Sequence, residues 1–169
     1  LDDEIAYLYI SQFGATTARE FKNQLKLLND AGMKGLIIDL RFNGGGYLNS
    51  AVDICSVFLE YGSLVAYKEG RDADREDLLD QSDEARDDIP LVILVNEESA
   101  SASEVTAACL RDYKRCILVG EKSYGKGSVQ VISQLTNGGS IRFTIAKYFT
   151  PGGYVIHDKG LEPDVKVSL

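Results

Sequence analysis

Three short stretches carry residue types that could do chemistry together. They are Arg41-Phe42-Asn43-Gly44-Gly45-Gly46, Asn96-Glu97-Glu98-Ser99-Ala100-Ser101-Ala102-Ser103-Glu104 and Ser123-Tyr124-Gly125-Lys126-Gly127-Ser128-Val129-Gln130. A serine hydroxyl becomes a useful nucleophile only beside a base. The one histidine, His157, lies in a different segment, so a histidine-based triad has a single candidate. Lys126 sits between two glycines, and a lysine in an apolar pocket loses its proton more easily and becomes a base. A Ser–Lys dyad is therefore the arrangement to consider. The same serines have a simpler use: Ser99 or Ser101 as a helix N-cap, with Glu104 completing a capping box. The backbone N–H groups of the glycine loop could hold an anion or an oxyanion, or the loop is a tight turn packing helix on strand. Its glycine spacing is wrong for a dinucleotide fingerprint, and no Gly-Lys-Ser/Thr follows to make a P-loop.

Each stretch follows a short run suited to a strand and precedes helical or strand periodicity. Ile5–Ile10 is rich in β-formers, and the nearly all-apolar runs Gly35–Leu40, Leu91–Val95 and Ile117–Val119 suit strands buried on both faces. Thr17-Ala18-Arg19-Glu20 fits a capping box opening a helix that buries Phe21, Leu25 and Leu28 and stops near Gly32. Leu48, Ala51, Val52, Cys55, Phe58 and Leu59 have helical spacing, and Ser99–Tyr113 reads as a turn followed by a helix. Leu64–Tyr67 is a further short strand. Val129–Ile132 and Ile141–Tyr148 flank Asn137-Gly138-Gly139, a hairpin turn; Pro151-Gly152-Gly153 is another turn, and residues 160–165 end in a turn and an edge strand. Residues 68–89, crowded with charge, read as a solvated surface excursion with room for one helical turn, the alternative being a disordered or substrate-gating loop. Strands alternating with helices imply an α/β fold with a β-rich C-terminal part.

The 169 residues fit one domain, 1–169, without repeats or linkers. Eighteen basic against 26 acidic residues give a net charge of −8, which argues against nucleic acid or an anionic membrane as main partner. Cys55, Cys109 and Cys116 show no CxxC pair and read as buried small apolar residues rather than a disulfide framework or zinc site. No apolar run approaches the ~20 residues of a membrane span, and no signal peptide remains in this piece, though one could have been removed upstream.

The motifs Asp39-Leu40-Arg41-Phe42-Asn43-Gly44-Gly45-Gly46, Asn96–Glu104, Glu121–Gln130, Tyr148-Phe149-Thr150-Pro151-Gly152-Gly153 and Gly160–Val167, in this order, resemble the carboxyl-terminal processing peptidases, or tail-specific proteases. The resemblance runs from Ile5 to Val167. It implies a Clp-protease/crotonase-like fold of repeated β-β-α units. It makes Ser101, the middle serine, the nucleophile, and Lys126, 25 positions on, the general base. Gln130 would orient that lysine. The backbone N–H of Ala102, with that of Gly44 or Gly45, would form the oxyanion hole. Many members have Pro where this chain has Gly44, which enlarges the N–H inventory here. Glu104 and Asp112 match acidic positions of the family and read as structural. His157 receives no role. No metal or other cofactor is implied.

The implied activity is a serine endopeptidase that cuts proteins near their C-termini through an acyl-enzyme. Its partners would be protein or peptide substrates with accessible C-termini, and an upstream PDZ domain would be missing from this piece. No nucleic acid or membrane contact is expected. The family works outside the cytoplasm, so an exported, periplasmic or otherwise extracytoplasmic bacterial protein is expected, although three unpaired cysteines sit poorly with a strongly oxidising compartment. For Lys126 to act, burial must lower a pKa that is ordinarily ~10.4. Two other functions compete. One is a non-hydrolytic binding or scaffold domain with an unarmed dyad. The other is a crotonase-type acyl-CoA enzyme, for which the serine and lysine motifs have no use.

Overall fold

A computed structural model describes residues 4–71, 74–82 and 89–168. Five parallel strands form the central sheet: β1 (Ile5–Tyr9), β2 (Gly35–Asp39), β5 (Leu91–Val95), β6 (Cys116–Gly120) and the short β9 (Val165–Lys166), in spatial order β1-β2-β5-β6-β9. The three inner strands are the all-apolar runs; β2 is covered on both faces, as expected, whereas Ile117 leaves one face of β6 half exposed. Leu36, Ile38, Ile93 and Leu118 are essentially inaccessible to solvent.

Three helices return the chain between these parallel strands. They are α1 (Thr17–Asp30), α2 (Leu48–Cys55) and α3 (Ala102–Asp112). α2 packs on both α1 and α3, and Phe21 of α1 meets Phe58 edge-on with ring centroids 6.1 Å apart. α3 buries every residue from Ala102 to Leu110. Its small side chains, Ala102, Ser103, Ala107, Ala108 and Cys109, let neighbours approach from all sides. The cysteines are free and buried. Burial pushes the Cys116 thiol up to about 12, while hydrogen bonding with Cys55, then burial, raises Cys109. All of this fits small core residues.

A second, antiparallel sheet of order β4-β3-β8-β7 supplies the β-rich part: β3 (Leu64–Gly70), β4 (Glu76–Leu79), β7 (Ser128–Gln134) and β8 (Ser140–Phe149). The β7–β8 hairpin turns at Asn137-Gly138-Gly139, with Gln130 opposite Thr144. Tyr67 and Phe149 stack across β3 and β8 at 4.8 Å.

Four expectations change. The Thr17 capping box does not form; Thr16 is the N-cap, and the Thr17 hydroxyl is spent upstream, donating to Gln12 O and accepting from Gly14 N–H, each at 3.0 Å. α2 ends at Cys55, so Phe58 and Leu59 are buried from a turn rather than a helical face. The charged stretch contains β4, paired to β3, and no helical turn among its described residues; residues 72–73 and 83–88 lie outside them. The order of elements, β-α-β-α-β-β-β-α-β-β-β-β, is not a plain succession of β-β-α units.

The topology itself assembles the chemistry. β2, β5 and β6 are adjacent and parallel, so the loops leaving their carboxyl ends emerge on one edge of the sheet. Those loops are the three motifs.

Candidate active site

The glycine loop leaves β2 through a polar anchor. Arg41 folds back on Asp39, with Nε 2.9 Å from Oδ1 and Nη2 2.6 Å from Oδ2, while the Tyr7 hydroxyl donates to Oδ2 at 2.6 Å. Burial alone would raise the Asp39 carboxyl, but hydrogen bonds from Arg41 and Tyr7 hold it below the usual range. Beyond it, fully buried Asn43 donates from Nδ2 to Ile10 O at 2.6 Å and accepts Gly45 N–H at Oδ1 at 2.9 Å. Its carbonyl accepts Ala100 N–H at 3.0 Å and the Ser103 hydroxyl at 2.8 Å. Gly45 lies hard against the serine turn. A Cβ there would stand 2.6 Å from Ala100 O and 2.8 Å from Ser101 Cβ, and its φ is +96°. Only glycine fits.

The three serines have separate fates. Ser99 is buried, and its hydroxyl donates to Leu40 O at 2.8 Å, tying the end of β5 to the end of β2. Ser103 is buried on Asn43. Ser101 alone is partly exposed, at the entry to α3, with φ 58° and ψ −115°. Such a conformation costs a non-glycine residue on the order of 1–3 kcal/mol and persists only where the surroundings enforce it. It resembles the strained strand-to-helix turn that lifts a nucleophile into view. Glu104 does close a capping box with Ser101, but its carboxylate does more: it is fully buried and also receives donors from the loop after β6.

That loop carries Lys126, whose side chain is exposed. The apolar burial expected for a lysine base is absent in this open arrangement. Ser101 and Lys126 line one cavity of about 390 Å³, together with Ser11, Gln12, Gly44, Gly45 and Gly46. No hydrogen bond joins Ser101 Oγ to Lys126 Nζ among the described residues. Gln130 also stands away from the lysine: it is exposed on β7, and its Nε2 reaches Thr144 Oγ1 across the hairpin at 3.5 Å. Of the loop donors, the Gly45 N–H is engaged by Asn43, whereas Gly44 and Ala102 keep N–H groups without a partner among the described residues.

Several residues were invisible as site parts from the sequence. Asn43, inside the glycine loop after β2, and Asn96, directly after β5, both have buried side chains; Asn96 Oδ1 accepts Phe42 N–H at 2.8 Å, joining the first two motifs. Asp112 at the far end of α3 accepts Thr150 Oγ1–H at 2.5 Å and Gly152 N–H at 2.8 Å, fixing the Pro151 turn. An asparagine in the loop that follows each of two apolar runs was the one available signal. A larger cleft of about 720 Å³, lined by Lys22, Asn49, Asp53 and Asp77, holds none of the candidate residues. Among the described residues no group of His, Cys, Asp and Glu could hold a metal ion, and no helix is long and apolar enough to cross a membrane.

A partly exposed serine on a strained helix-entry turn lies with a glycine loop and a lysine around one cavity, an arrangement suited to serine-nucleophile chemistry. Comparison with known proteins gives the family. The model of peptidase family S41 matches residues 4–167, and this chain belongs to that family. It is 41% identical over 164 residues to the carboxyl-terminal-processing protease of Synechocystis sp., covering 97% of this chain and 38% of that protein. It is 35% identical over 168 residues to the carboxy-terminal processing protease CtpA of Bacillus subtilis, covering 99% and 36%. The solved photosystem II D1 C-terminal processing protease superposes with a TM-score of 0.87 at 32% identity, covering 96% of this chain and 42% of that one. The chain thus spans little more than a third of the length of these two processing proteases.

Proposed function

We propose that these 169 residues are the catalytic core of a serine endopeptidase that cleaves proteins near their C-termini. The observation that carries the proposal is Ser101: the one accessible serine of its motif, held at positive φ, in one cavity with Lys126 and the glycine loop. Neutral Lys126 Nζ takes the Ser101 hydroxyl proton as Oγ bonds to the scissile carbonyl carbon. The oxyanion receives N–H groups from Ala102 and the glycine loop, where Gly44 has the free donor and Gly45 would first have to release Asn43. The C–N bond then breaks, and the lysine ammonium returns its proton to the departing amine. Water, deprotonated by the same lysine, attacks the ester carbonyl; the C–Oγ bond breaks, the lysine ammonium returns the proton to Ser101 Oγ, and the new C-terminal carboxyl group leaves.

Lys126 is solvated here, so its neutral form requires cover, and a bound polypeptide lying over the cavity would supply it. Gln130 would leave Thr144 to hold the uncharged amine. The kinship to Clp-protease and crotonase folds, a companion PDZ domain elsewhere in the full protein, and an exported, extracytoplasmic location belong to the same proposal. They draw on the relatives' being processing proteases roughly three times as long.

A specific observation favours one alternative. The missing Ser101–Lys126 hydrogen bond suits a binding domain whose dyad is never armed. Degradation of an unfolded protein with an apolar C-terminus by the full-length protein separates the two. Turnover that disappears in both Ser101→Ala and Lys126→Ala is expected. Turnover that survives either change, or never occurs in the full-length protein, would sink the peptidase assignment.

A further inference from the structure

Glu104 is a fully buried carboxylate with no cation paired to it among the described residues. A bare buried charge of this kind is costly unless donors replace the lost water. Here the replacement is complete and symmetrical. Oε1 accepts the Ser123 hydroxyl at 2.5 Å and Gly125 N–H at 2.7 Å. Oε2 accepts Ser101 N–H at 2.9 Å and Lys126 N–H at 2.8 Å. One oxygen atom therefore receives the backbone N–H of both residues of the dyad.

A helix cap needs only one of these contacts, the one to Ser101. The other three reach 19 to 22 residues along the chain, into the loop that carries the lysine. That loop has a second support behind it. Ser123 Oγ accepts Leu161 N–H at 2.7 Å, Gly125 O accepts Asp158 N–H at 2.9 Å, and a Cβ on Gly125 would stand 2.9 Å from Gly160 N. Pressed between residues 158–161 and Glu104, the loop backbone has little freedom, although the Lys126 side chain beyond it is solvated.

We infer that Glu104 is a positioning residue: a carboxylate clamp that sets the Ser101 turn and the Lys126 loop in fixed register. This inference rests on the Ser101–Lys126 dyad of the proposed function. The negative charge is suited to the task because both oxygens must accept twice, and no neutral side chain of this size offers four acceptor sites. The clamp fixes main chains and leaves the lysine side chain free to move when substrate arrives. Catalytic geometry would then tighten from a backbone already in place.

The test is made in the full-length protein. Glu104→Gln keeps the shape but replaces one acceptor oxygen by an NH₂: at the Oε2 position both N–H bonds are lost, and at the Oε1 position the Gly125 N–H bond is lost and the Ser123 hydroxyl must turn to accept. The expected result is a fall in kcat of about 10²-fold, the scale of a misplacement near 1 Å, with KM unchanged and a cooperative thermal transition retained. Labelling of Ser101 by a small fluorophosphonate should slow in parallel. Glu104→Gln with wild-type kcat would overturn the clamp. Should Glu104→Gln fail to fold, Ser123→Ala decides: losing that one donor should lower kcat several-fold at constant KM, and an unchanged kcat overturns the proposal. Ser101→Ala and Lys126→Ala, run alongside, report on the dyad independently. Turnover surviving in them would remove the reading on which the clamp rests, whatever Glu104→Gln does.

Discussion

The two halves of the candidate site are built differently. On the nucleophile side, the glycine loop and the serine turn are welded by buried polar bonds. Asn43, Asn96, Ser99 and Ser103 are all inaccessible, and together they join the ends of β2 and β5. On the base side, the main chain is held but the side chains are not: Lys126 and Gln130 are exposed, and β8 beside them leaves Ile141, Phe143 and Ile145 about half open to solvent. An oxyanion site works only if its donors are fixed before the charge develops. A lysine base works only if it can be dehydrated, and dehydration can wait for substrate. The rigid half stores geometry, and the open half leaves room for an activating step.

The largest effect should come from the proposed nucleophile. Ser101→Ala is expected to lower turnover by at least about 10³-fold with the fold intact, read by kinetics and circular dichroism. Lys126→Arg should be no better than Lys126→Ala, because guanidinium stays charged; recovery of activity in the arginine variant would contradict a neutral-amine base. Next comes the rigid half. Gly45→Ala sets a methyl group 2.6 Å from a backbone oxygen, so both melting temperature and kcat should drop, the latter by about 10²-fold. Ser103→Ala removes one buried bond to Asn43 and should cost on the order of 1–2 kcal/mol in denaturant unfolding. On the open half, Gln130→Glu should leave stability unchanged, since the side chain is exposed, yet move the rising limb of the pH–rate profile to higher pH. An unmoved limb would show that Gln130 never approaches the lysine.

The smallest effect concerns the anchor of the glycine loop. Asp39 has a pKa held below its unfolded value by Arg41 and Tyr7. Its stabilising contribution is fully present above about pH 3.9 and is lost as pH falls through the lower folded pKa. The stabilities of Asp39→Asn and the parent should therefore differ above about pH 3.9 and converge only as pH falls through the lower folded pKa of Asp39.

Much of the fold is legible without coordinates because it depends on local patterns. The all-apolar runs became inner parallel strands, Asn137-Gly138-Gly139 became the hairpin turn, and the cysteines became core residues. The local patterns that failed did so where a side chain found a better distant partner. The Thr17 hydroxyl turned to Gln12, and the charged stretch after β3 paired back as β4. Glu104 is the same lesson in the site: its spacing from Ser101 advertises a cap, and nothing in that spacing discloses Gly125 and Lys126.

By itself the sequence determined the chemical inventory. It supplied one histidine, a serine run opening a helix, a lysine between glycines and a glycine loop, and hence the reason to consider a Ser–Lys pair before a histidine triad. Residue types and their near neighbours are enough for that. Only the tertiary structure decided which serine is free, which glycine N–H is occupied and which carboxylate joins the two motifs. Those outcomes turn on contacts between segments 19 to 60 residues apart, which exist only once parallel strands gather their loops on one edge of a sheet.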